Sequence, residues 1–337
     1  MASTTISNLW SPAIWIKGAD EAARILPGLI TSRAVIQSPL FDTIASGAGV
    51  AANVPFFKDL TDTAEGIQVE LTAPSLNNHT SGTQIFPILN REVAFGSGAL
   101  AAAVTGSDPV QSIVNQLGLG RQKRMQVTLT KILDGLFAFT SGTAVLASTA
   151  NKLAIETGNS AVAANLWSTA AFNNTAALLG ELQGNLMGGA IFVHPIVRAA
   201  MLTADANSFE RISRGDLMIE RYRGLDVYVS NLLSRAGTTN GTVYATYILA
   251  PGSVALGMKP QVATQDAASL QVYSRPDIND TQVYDRTRYV VGVAGTAFTG
   301  SPAGQSATNT ELATASNWAL RYQTADRCGV ALLTTNG

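Results

Sequence analysis

Two stretches in which apolar and polar residues alternate predict a long antiparallel ribbon. The outgoing strand is marked by four alternating apolar residues: Val50, Ala52, Val54 and Phe56. The returning strand spans 84–95 and places a second apolar set on one face: Ile85, Leu89, Val93 and Phe95. Strands of ten to fifteen residues extend roughly 35 to 50 Å, at about 3.3 Å per residue. Because the ribbon has too few large apolar residues to build its own core, we expect it to lie on another surface.

A long amphipathic helix is predicted directly after the ribbon. Asp108 and Pro109 form a side-chain cap followed by proline at the first helical position, and Gln111 is placed to complete a capping box. Apolar residues then follow helical spacing: Val110, Ile113, Val114, Leu117, Met125, Leu129, Ile132, Leu133, Leu136 and Phe137. This spacing predicts a helix of about thirty residues, roughly 45 Å long. Gly118 and Gly120 predict a bend in its middle, because glycine inside a helix costs about 1 kcal/mol relative to alanine.

Shorter elements complete the pattern. An amphipathic helix that contains Trp15 is predicted between Pro12 and Pro27. The other predicted elements are a helix at 165–186, a buried strand at 190–193, a helix starting at His194-Pro195, a hairpin at 217–229 turning near Arg223-Gly224, a tight turn at Asn240-Gly241, and strands from Pro251 onward with a loop at 299–307. The alternation of helix and strand after residue 165 indicates a compact α/β subdomain.

Seven short motifs follow one another along nearly the whole chain. They are NVPFFKDL at 53–60, REVAF at 91–95, GSDP at 106–109, FVHP at 192–195, ERYRGLDVY at 220–228, LAPGSV at 249–254 and WALRY at 318–322. Their order resembles that of the tailed-bacteriophage major capsid proteins with the HK97-like fold. The resemblance makes the segment around Trp15 an arm that crosses onto a neighbouring subunit. The alternative for that segment is a helix packed on its own domain.

The resemblance implies an α+β fold of the HK97-like type. Its parts are an N-terminal arm, an extended two-stranded E-loop, a long spine helix in a peripheral domain, and an α/β axial domain. The implied boundaries are 1–46 for the arm, 47–96 for the E-loop ribbon, 97–142 for the spine helix and peripheral domain, 143–250 for the axial domain, 251–309 for peripheral-domain strands and a loop, and 310–337 for C-terminal strands returning to the axial domain.

The composition favours a chain that buries apolar surface against neighbours. Charged residues make up 13% of the sequence and hydrophobic residues 46%, whereas about 25% charged residues is usual. A lone domain with so few charges would be poorly soluble. No apolar run approaches the roughly 20 residues of a membrane helix, so we expect no membrane contact. The alternative is one large core beneath a surface rich in Ala, Ser and Thr.

The net charge and the chain terminus restrict the setting. A net charge of -1 disfavours a strongly basic nucleic-acid binder and fits only weak contact with phosphates. Cys328 is the only cysteine, which excludes an intrachain disulfide. The first residues lack the basic and apolar regions of a signal peptide. We therefore expect assembly in a bacterial host cytoplasm and a final place in the virion capsid.

The sequence offers no catalytic constellation. Two histidines and one cysteine exclude a multi-histidine metal site and a Cys/His zinc cluster. Walker A, Gly-X-Ser-X-Gly and HExxH motifs are absent from the sequence. His79 lies among polar loop residues and is expected to be exposed, whereas His194 is expected to make a structural hydrogen bond. We therefore predict a protein that is not an enzyme and has no catalytic, cofactor or metal site.

Two sets of contact residues are predicted. The first set makes contacts between subunits: Trp15, Phe56, Phe57, Lys58, Asp59, Asp62, Glu65, Arg275, Arg286 and Arg288. Within it, the acidic ribbon residues are expected to pair with the arginines across a subunit boundary. The second set lies on the long helix and would touch DNA weakly from the lumen side: Arg121, Lys123, Arg124 and Lys131. The alternative for this second set is an ordinary solvated face or ion pairs with neighbours.

The function implied by the resemblance is self-assembly. The chain would form the pentamers and hexamers of an icosahedral shell that encloses double-stranded phage DNA. Its partners would be copies of itself, a portal protein, a scaffolding protein, a decoration or cement protein, and packaged DNA in weak non-specific contact. An encapsulin-type nanocompartment that encloses a protein cargo is the first alternative. An enzyme or a cell-surface β-protein is the second, although the sequence has neither an active-site motif nor an export signal.

Overall fold

The computed structural model describes most of the chain. The described residues are 28–30, 32–60, 67–68, 70, 76–98, 109–139, 142–143, 145–146, 152–154, 165–214, 217–237, 241–263, 266–277 and 279–336. The helices in these ranges are α1 Pro39–Ser46, α2 Pro109–Phe137, α3 Thr169–Ala177, α4 Pro195–Ala204 and α5 Asn309–Ala313. The 3-10 helices are Gly180–Asn185, Ala206–Ser208, Ala315–Asn317 and Asp326–Cys328. Together with the strands below, these elements form a mixed α/β protein.

The strands form two sheets of eight strands each. Their bounds are β1 Val35–Gln37, β2 Ala51–Phe57, β3 Ser81–Gly98, β4 Lys152–Ala154, β5 Ala190–Val193, β6 Phe209–Arg214, β7 Leu217–Tyr222, β8 Leu225–Val229, β9 Ser234–Ala236, β10 Thr242–Leu249, β11 Val254–Met258, β12 Ser269–Arg275, β13 Asp280–Val293, β14 Thr296–Phe298, β15 Trp318–Leu320 and β16 Val330–Thr335. The first sheet has the order β1-β11-β13-β3-β14-β15, with β12 added to β13 and β2 added to β3. The second has the order β4-β16-β10-β5-β8-β7-β6, with β9 added to β10.

Strand β3 carries both the ribbon and the body of the first sheet. Its residues 88–98 pair antiparallel with β13, from Ile88 opposite Val290 to Gly98 opposite Asp280. Its residues 81–87 pair instead with β2, from Ser81 opposite Phe57 to Pro87 opposite Ala51. The same strand therefore anchors the ribbon to the sheet at its base.

The largest apolar cluster lies between α2 and the two sheets. Its α2 members lie at helical spacing on one side of the helix: Met125, Leu129, Ile132, Leu133, Leu136 and Phe137. They pack with Tyr289 and Val291 of the first sheet and with Tyr247 and Leu332 of the second. A second cluster includes Ile248, the next residue along β10, together with residues of α3 and α4. Strand β10 is thus buried on both faces, and α2 joins the two sheets into one body.

The structure confirms the main predicted elements. The two ribbon strands, the long helix, the strand at 190–193, the helix after His194 and the hairpin turn at Arg223-Gly224 are all present. Helix α2 runs unbroken through Gly118 and Gly120 in its hydrogen-bonded pattern. The helix around Trp15, the cap at Asp108 and the turn residue Asn240 lie outside the described residues.

One predicted element differs from the structure in extent, and one helix of the structure was not predicted. The helix expected at 165–186 is wrong in extent, because α3 ends at Ala177 and a 3-10 helix follows from Gly180. Gly180 has a φ of 54°, a left-handed conformation that cannot continue an α-helix. Helix α5 was not predicted at all, although the Thr308 and Glu311 side chains form a complete capping box at its start.

Candidate assembly surface

The ribbon presents large apolar side chains to solvent. Phe57, at the end of β2, is 76% exposed, and Ile67 and Leu76 beyond it are 93% and 92% exposed. Leu60 is also exposed. The Phe57 ring stacks on His79 with 4.8 Å between ring centroids. Exposed apolar side chains at the end of β2 and in the segment between β2 and β3 are typical of a surface that associates with another protein.

The base of the ribbon is fixed by one arginine. Arg288 of β13 lies opposite Asn90 of β3, and its Nη1 donates to Asn90 Oδ1 at 3.0 Å. Its Nε donates to the Ala45 carbonyl at 2.8 Å, and its Nη2 donates to the carbonyls of Gly47 and Gly49. Because these carbonyls belong to the last turn of α1 and to the link between α1 and β2, Arg288 sets where the outgoing strand leaves the body.

The other two predicted contact arginines also have partners within the chain. Arg286 Nε lies 3.2 Å from Glu92 Oε2, and its guanidinium lies over the Tyr284 ring at 5.5 Å from the centroid. Arg275 Nη2 lies 2.9 Å from Asp277. Their pairing with the ribbon of another subunit stays a prediction.

The predicted contact residues of the ribbon differ in the contacts that they make within the chain. Phe56 packs inward, edge to face with Tyr322 at 5.2 Å between centroids. Asp59 Oδ2 lies 2.7 Å from Arg327 Nη1. Lys58 is exposed, and its carbonyl lies 2.9 Å from His79 Nε2. Trp15, Asp62 and Glu65 lie outside the described residues.

Three of the four predicted DNA-contact cations are paired with acidic side chains of the same chain. Arg121 Nε and Arg124 Nη2 lie 2.9 and 2.7 Å from the two oxygens of Asp285, whose side chain is fully buried. Lys131 Nζ lies 2.9 Å from Asp134 Oδ2. Lys123 is half-buried on the same helix. The charged groups of Arg121, Arg124 and Lys131 therefore lie against acidic side chains of the same chain.

Asp134 sits where α2 meets the second sheet. Tyr247 of β10 donates a hydrogen bond from its hydroxyl to Asp134 Oδ1 at 3.1 Å. Burial raises the pKa of Asp134 above its ordinary value, and the Lys131 ammonium and the Tyr247 hydroxyl oppose that rise. Burial likewise raises the pKa of Tyr247, which keeps its hydroxyl protonated as the donor. The pair links helix and sheet by a polar contact inside an apolar core.

The two histidines have the environments that the sequence suggested. His79 is exposed. His194 caps α4, because its Nδ1 accepts a hydrogen bond from the Ile196 amide at 3.3 Å. Burial lowers the pKa of His194, so the ring stays neutral and Nδ1 stays an acceptor.

Metal-ion clusters and membrane-crossing helices are absent from the part of the chain that the structure describes. Within it, no group of three or more His, Cys, Asp or Glu side chains is arranged to hold a metal ion. None of the helices there is long and apolar enough to cross a membrane. The surface around the ribbon is the feature that these residues offer for a function.

The chain is similar to known proteins in sequence and in overall fold. The major capsid protein of Bacillus phage SPP1 is 25% identical to the chain over 329 residues, which cover 96% of this chain and 95% of that relative. The chain is similar to a phage major capsid protein along nearly its whole length. The resemblance drawn from the seven sequence motifs is thereby confirmed. No protein-family model matches the chain.

Solved structures show the same capsid fold. The capsid of Ralstonia phage GP4 superposes with a TM-score of 0.62 at 10% identity, covering 99% of this chain and 98% of that one. The capsid asymmetric unit of cyanophage Pam1 gives a TM-score of 0.58 at 13% identity, covering 97% and 95%. The SrpI encapsulin of Synechococcus elongatus PCC 7942 gives 0.51 at 10% identity, covering 100% and 92%. A capsid protein is a structural component of a shell and acts by associating with copies of itself.

Several residues of this surface were not found from the sequence. Asp285 and Arg327 contact the helix and the ribbon from positions far along the chain, and no local pattern marks them. Tyr322, which contacts Phe56, was noted only within the WALRY motif at 318–322. Glu92 was noted only within a motif, although it pairs with Arg286. The REVAF motif at 91–95 was the one signal that could have directed attention to it.

Proposed function

We propose that this capsid protein forms the pentamers and hexamers of a closed icosahedral shell that encloses double-stranded DNA. The observation that carries the proposal is the ribbon, whose exposed Phe57, Leu60, Ile67 and Leu76 side chains require a covering surface. A neighbouring copy supplies that surface at every position in a ring. Contacts of this head-to-tail type close into rings, and the rings close into a shell.

The parts of the HK97-like fold are assigned as follows. The ribbon of β2 and β3 is the E-loop, and α2 is the spine helix. The second sheet with α3 and α4 is the axial domain, within the boundaries 143–250, and strand β16 returns to it from the C-terminal segment. The first sheet belongs to the peripheral domain. Two facts support these assignments: the length of α2, 29 residues, and the pairing of β16 beside β10.

The intrachain ion pairs support weak contact with packaged DNA. Asp285 and Asp134 partly neutralise Arg121, Arg124 and Lys131, which makes these three cations less available to phosphates. Weak contact lets DNA enter the shell without being held in place. The remaining partners are a portal protein, a scaffolding protein and a decoration or cement protein, and the site of assembly is the cytoplasm of a bacterial host.

The fold shared with the SrpI encapsulin supports one alternative. A nanocompartment shell would use the same ribbon contacts and enclose a protein cargo. The sequence similarity to a phage major capsid protein favours the phage shell.

Electron microscopy and nucleic-acid analysis together test the proposal. The chain is expressed alone for microscopy, and particles from infected host cells are treated with nuclease before their contents are extracted. Closed icosahedral particles that protect double-stranded DNA support the phage shell. Particles that contain protein cargo and no DNA support the nanocompartment. A chain that stays monomeric at every concentration and ionic strength would contradict both.

A further inference from the structure

The ribbon is held against its own chain by the segment that follows β15. Tyr322 contacts both ribbon strands. Its ring lies edge to face with Phe56 of β2, 5.2 Å between centroids, and its hydroxyl accepts a hydrogen bond from Gln84 Nε2 of β3 at 3.2 Å. Gln84 is 238 residues away from Tyr322 in sequence. The contact therefore depends on the completed fold and is specific to the position of the ribbon.

Two glycines make room for the two rings. A Cβ added at Gly295, which has a φ of 80°, would lie 2.3 Å from the Tyr322 ring. A Cβ added at Gly82, opposite Phe56 across the ribbon, would lie 2.5 Å from the Phe56 ring. Gly295 also donates its amide hydrogen to Gln84 Oε1 at 3.2 Å. Backbone and side chains together fix Tyr322 against the ribbon beside Phe56 and Gln84.

An ion pair holds the ribbon further out. Asp59 and Arg327 are each a little over one-third exposed, at 37% and 38%, and their charged atoms are 2.7 Å apart. Arg327 belongs to the 3-10 helix Asp326–Cys328, whose Cys328 side chain is buried. An open groove of about 310 Å³ separates the two contacts and is lined by both segments. We call the contacts of Tyr322 and Arg327 with the ribbon the clasp.

The clasp leaves the apolar end of the ribbon uncovered. Phe57 is 76% exposed even though its neighbours Phe56 and Asp59 are engaged, and Leu60, Ile67 and Leu76 are exposed as well. A contact that blocked association would be expected to cover these side chains. This one restrains the ribbon while its docking residues stay available.

We infer that Tyr322 and Arg327 are positioning residues that hold the ribbon in the direction in which it docks on a neighbouring copy. The inference rests on the proposed shell function. A two-stranded ribbon has little stability of its own and samples many directions. A ribbon that is restrained before association loses less conformational entropy when it binds. Such pre-organisation strengthens binding without any new contact.

The test compares the assembly of charge variants in purified full-length chain. R327Q and D59N each remove the ion pair, the double variant D59R/R327D reverses it, and Y322L removes the aromatic contact. R211Q is the matched control, because exposed Arg211 lies 3.8 Å from Glu220 on the second sheet, away from the ribbon. Light scattering and sedimentation give the lowest subunit concentration that yields particles. Hydrogen exchange of residues 51–57 and 81–87 is measured in unassembled subunits.

The expected result is that R327Q and D59N raise the threshold concentration by about threefold. Y322L raises it by more, D59R/R327D restores it, and R211Q leaves it unchanged. The ribbon amides of R327Q exchange faster in the unassembled subunit, while its thermal unfolding midpoint stays near that of the wild-type chain. A purely structural role would lower the thermal unfolding midpoint together with assembly, and charge reversal would restore both.

Other outcomes overturn the inference. Unchanged assembly and exchange in R327Q and Y322L would show that the clasp does not orient the ribbon. Faster assembly in either variant would show that the clasp opposes association. Failure of the wild-type chain to form particles would refute the proposed function itself, and the exchange data would still report whether the clasp restrains the ribbon.

Discussion

The guanidinium of Arg124 lies 2.7 Å from the carboxylate of Asp285, across the boundary between helix α2 and strand β13. Arg121, one turn earlier, holds the other oxygen at 2.9 Å, and Gln261 donates to the same carboxylate at 2.9 Å. The Asp285 side chain is fully buried. The helix and the first sheet are therefore joined by a charged contact in addition to apolar packing.

Replacing Asp285 with asparagine is expected to destabilise the subunit strongly. The variant leaves two arginines facing a neutral amide, and removing one partner of a buried ion pair typically costs about 3 to 5 kcal/mol. Because both arginines are partly exposed, we expect about 2 to 3 kcal/mol here. Denaturant unfolding of dissociated subunits measures the change. The control is Asp277→Asn, which removes an exposed pair and should change the free energy of unfolding by about 0.5 kcal/mol or less.

Replacing Arg288 is expected to displace the base of the ribbon. Arg288→Met loses the hydrogen bonds to three backbone carbonyls and to Asn90, and should lower stability by about 2 kcal/mol or more. Arg288→Lys keeps the charge but lacks the fork of donors, and should retain about half of that stability. Assembly should fall in the same order, measured by light scattering. Equal assembly of the lysine and methionine variants would contradict the role of the guanidinium geometry.

The repetitive parts of this fold were accessible from the sequence. Alternation at Val50 to Phe56 and helical spacing from Val110 to Phe137 each encode an element through its own periodicity. His194 was placed correctly as a structural histidine because a buried strand and a proline flank it. The helix at 165–186 was predicted to continue through Gly180, because one glycine within a helical pattern does not reveal that its φ is positive.

The partners of the charged residues were not accessible in the same way. Arg121 and Asp285 are 164 residues apart, and nothing local in either segment marks the other. The α2 cations were considered for weak DNA contact or for ion pairs with neighbours, and Asp59 for arginines across a subunit boundary, while their partners within the chain were not predicted. The partner of Asp59 in the structure is Arg327. Local patterns indicate that a charge needs a partner, whereas the fold decides which residue that partner is.

Cys328 is expected to be unreactive in the native subunit. Burial raises the pKa of its thiol to about 12, with the nearby Asp326 carboxylate adding to the rise. Alkylation at pH 8 should therefore be roughly a thousandfold slower than for a free cysteine, because the thiolate is the nucleophile. Mass spectrometry follows the reaction, and the unfolded chain in guanidinium serves as the control. Rapid alkylation of the native subunit would show that the thiol is accessible.

His194 is expected to make stability depend on pH below neutrality. Burial lowers its pKa in the folded chain below the ordinary value of about 6.5. The unfolded chain then binds a proton more readily, so stability is fully present above that ordinary value and is lost as the pH falls through the folded pKa. His194→Asn keeps a capping acceptor without titrating. Unfolding measured between pH 5 and 8 should show a smaller acid loss in the variant, and identical profiles would contradict the assignment.

Sedimentation velocity of the purified chain beside a variant with a shortened ribbon tests the central claim most directly. In the variant, residues 60–77 are replaced by a short glycine-rich turn, while the base held by Arg288 is kept. We expect the wild-type chain to sediment as closed particles and the variant to stay a folded monomer with a similar unfolding midpoint. A wild-type chain that remains monomeric, or a variant that assembles equally well, would contradict the claim that this protein builds a shell by docking its ribbon on a neighbour.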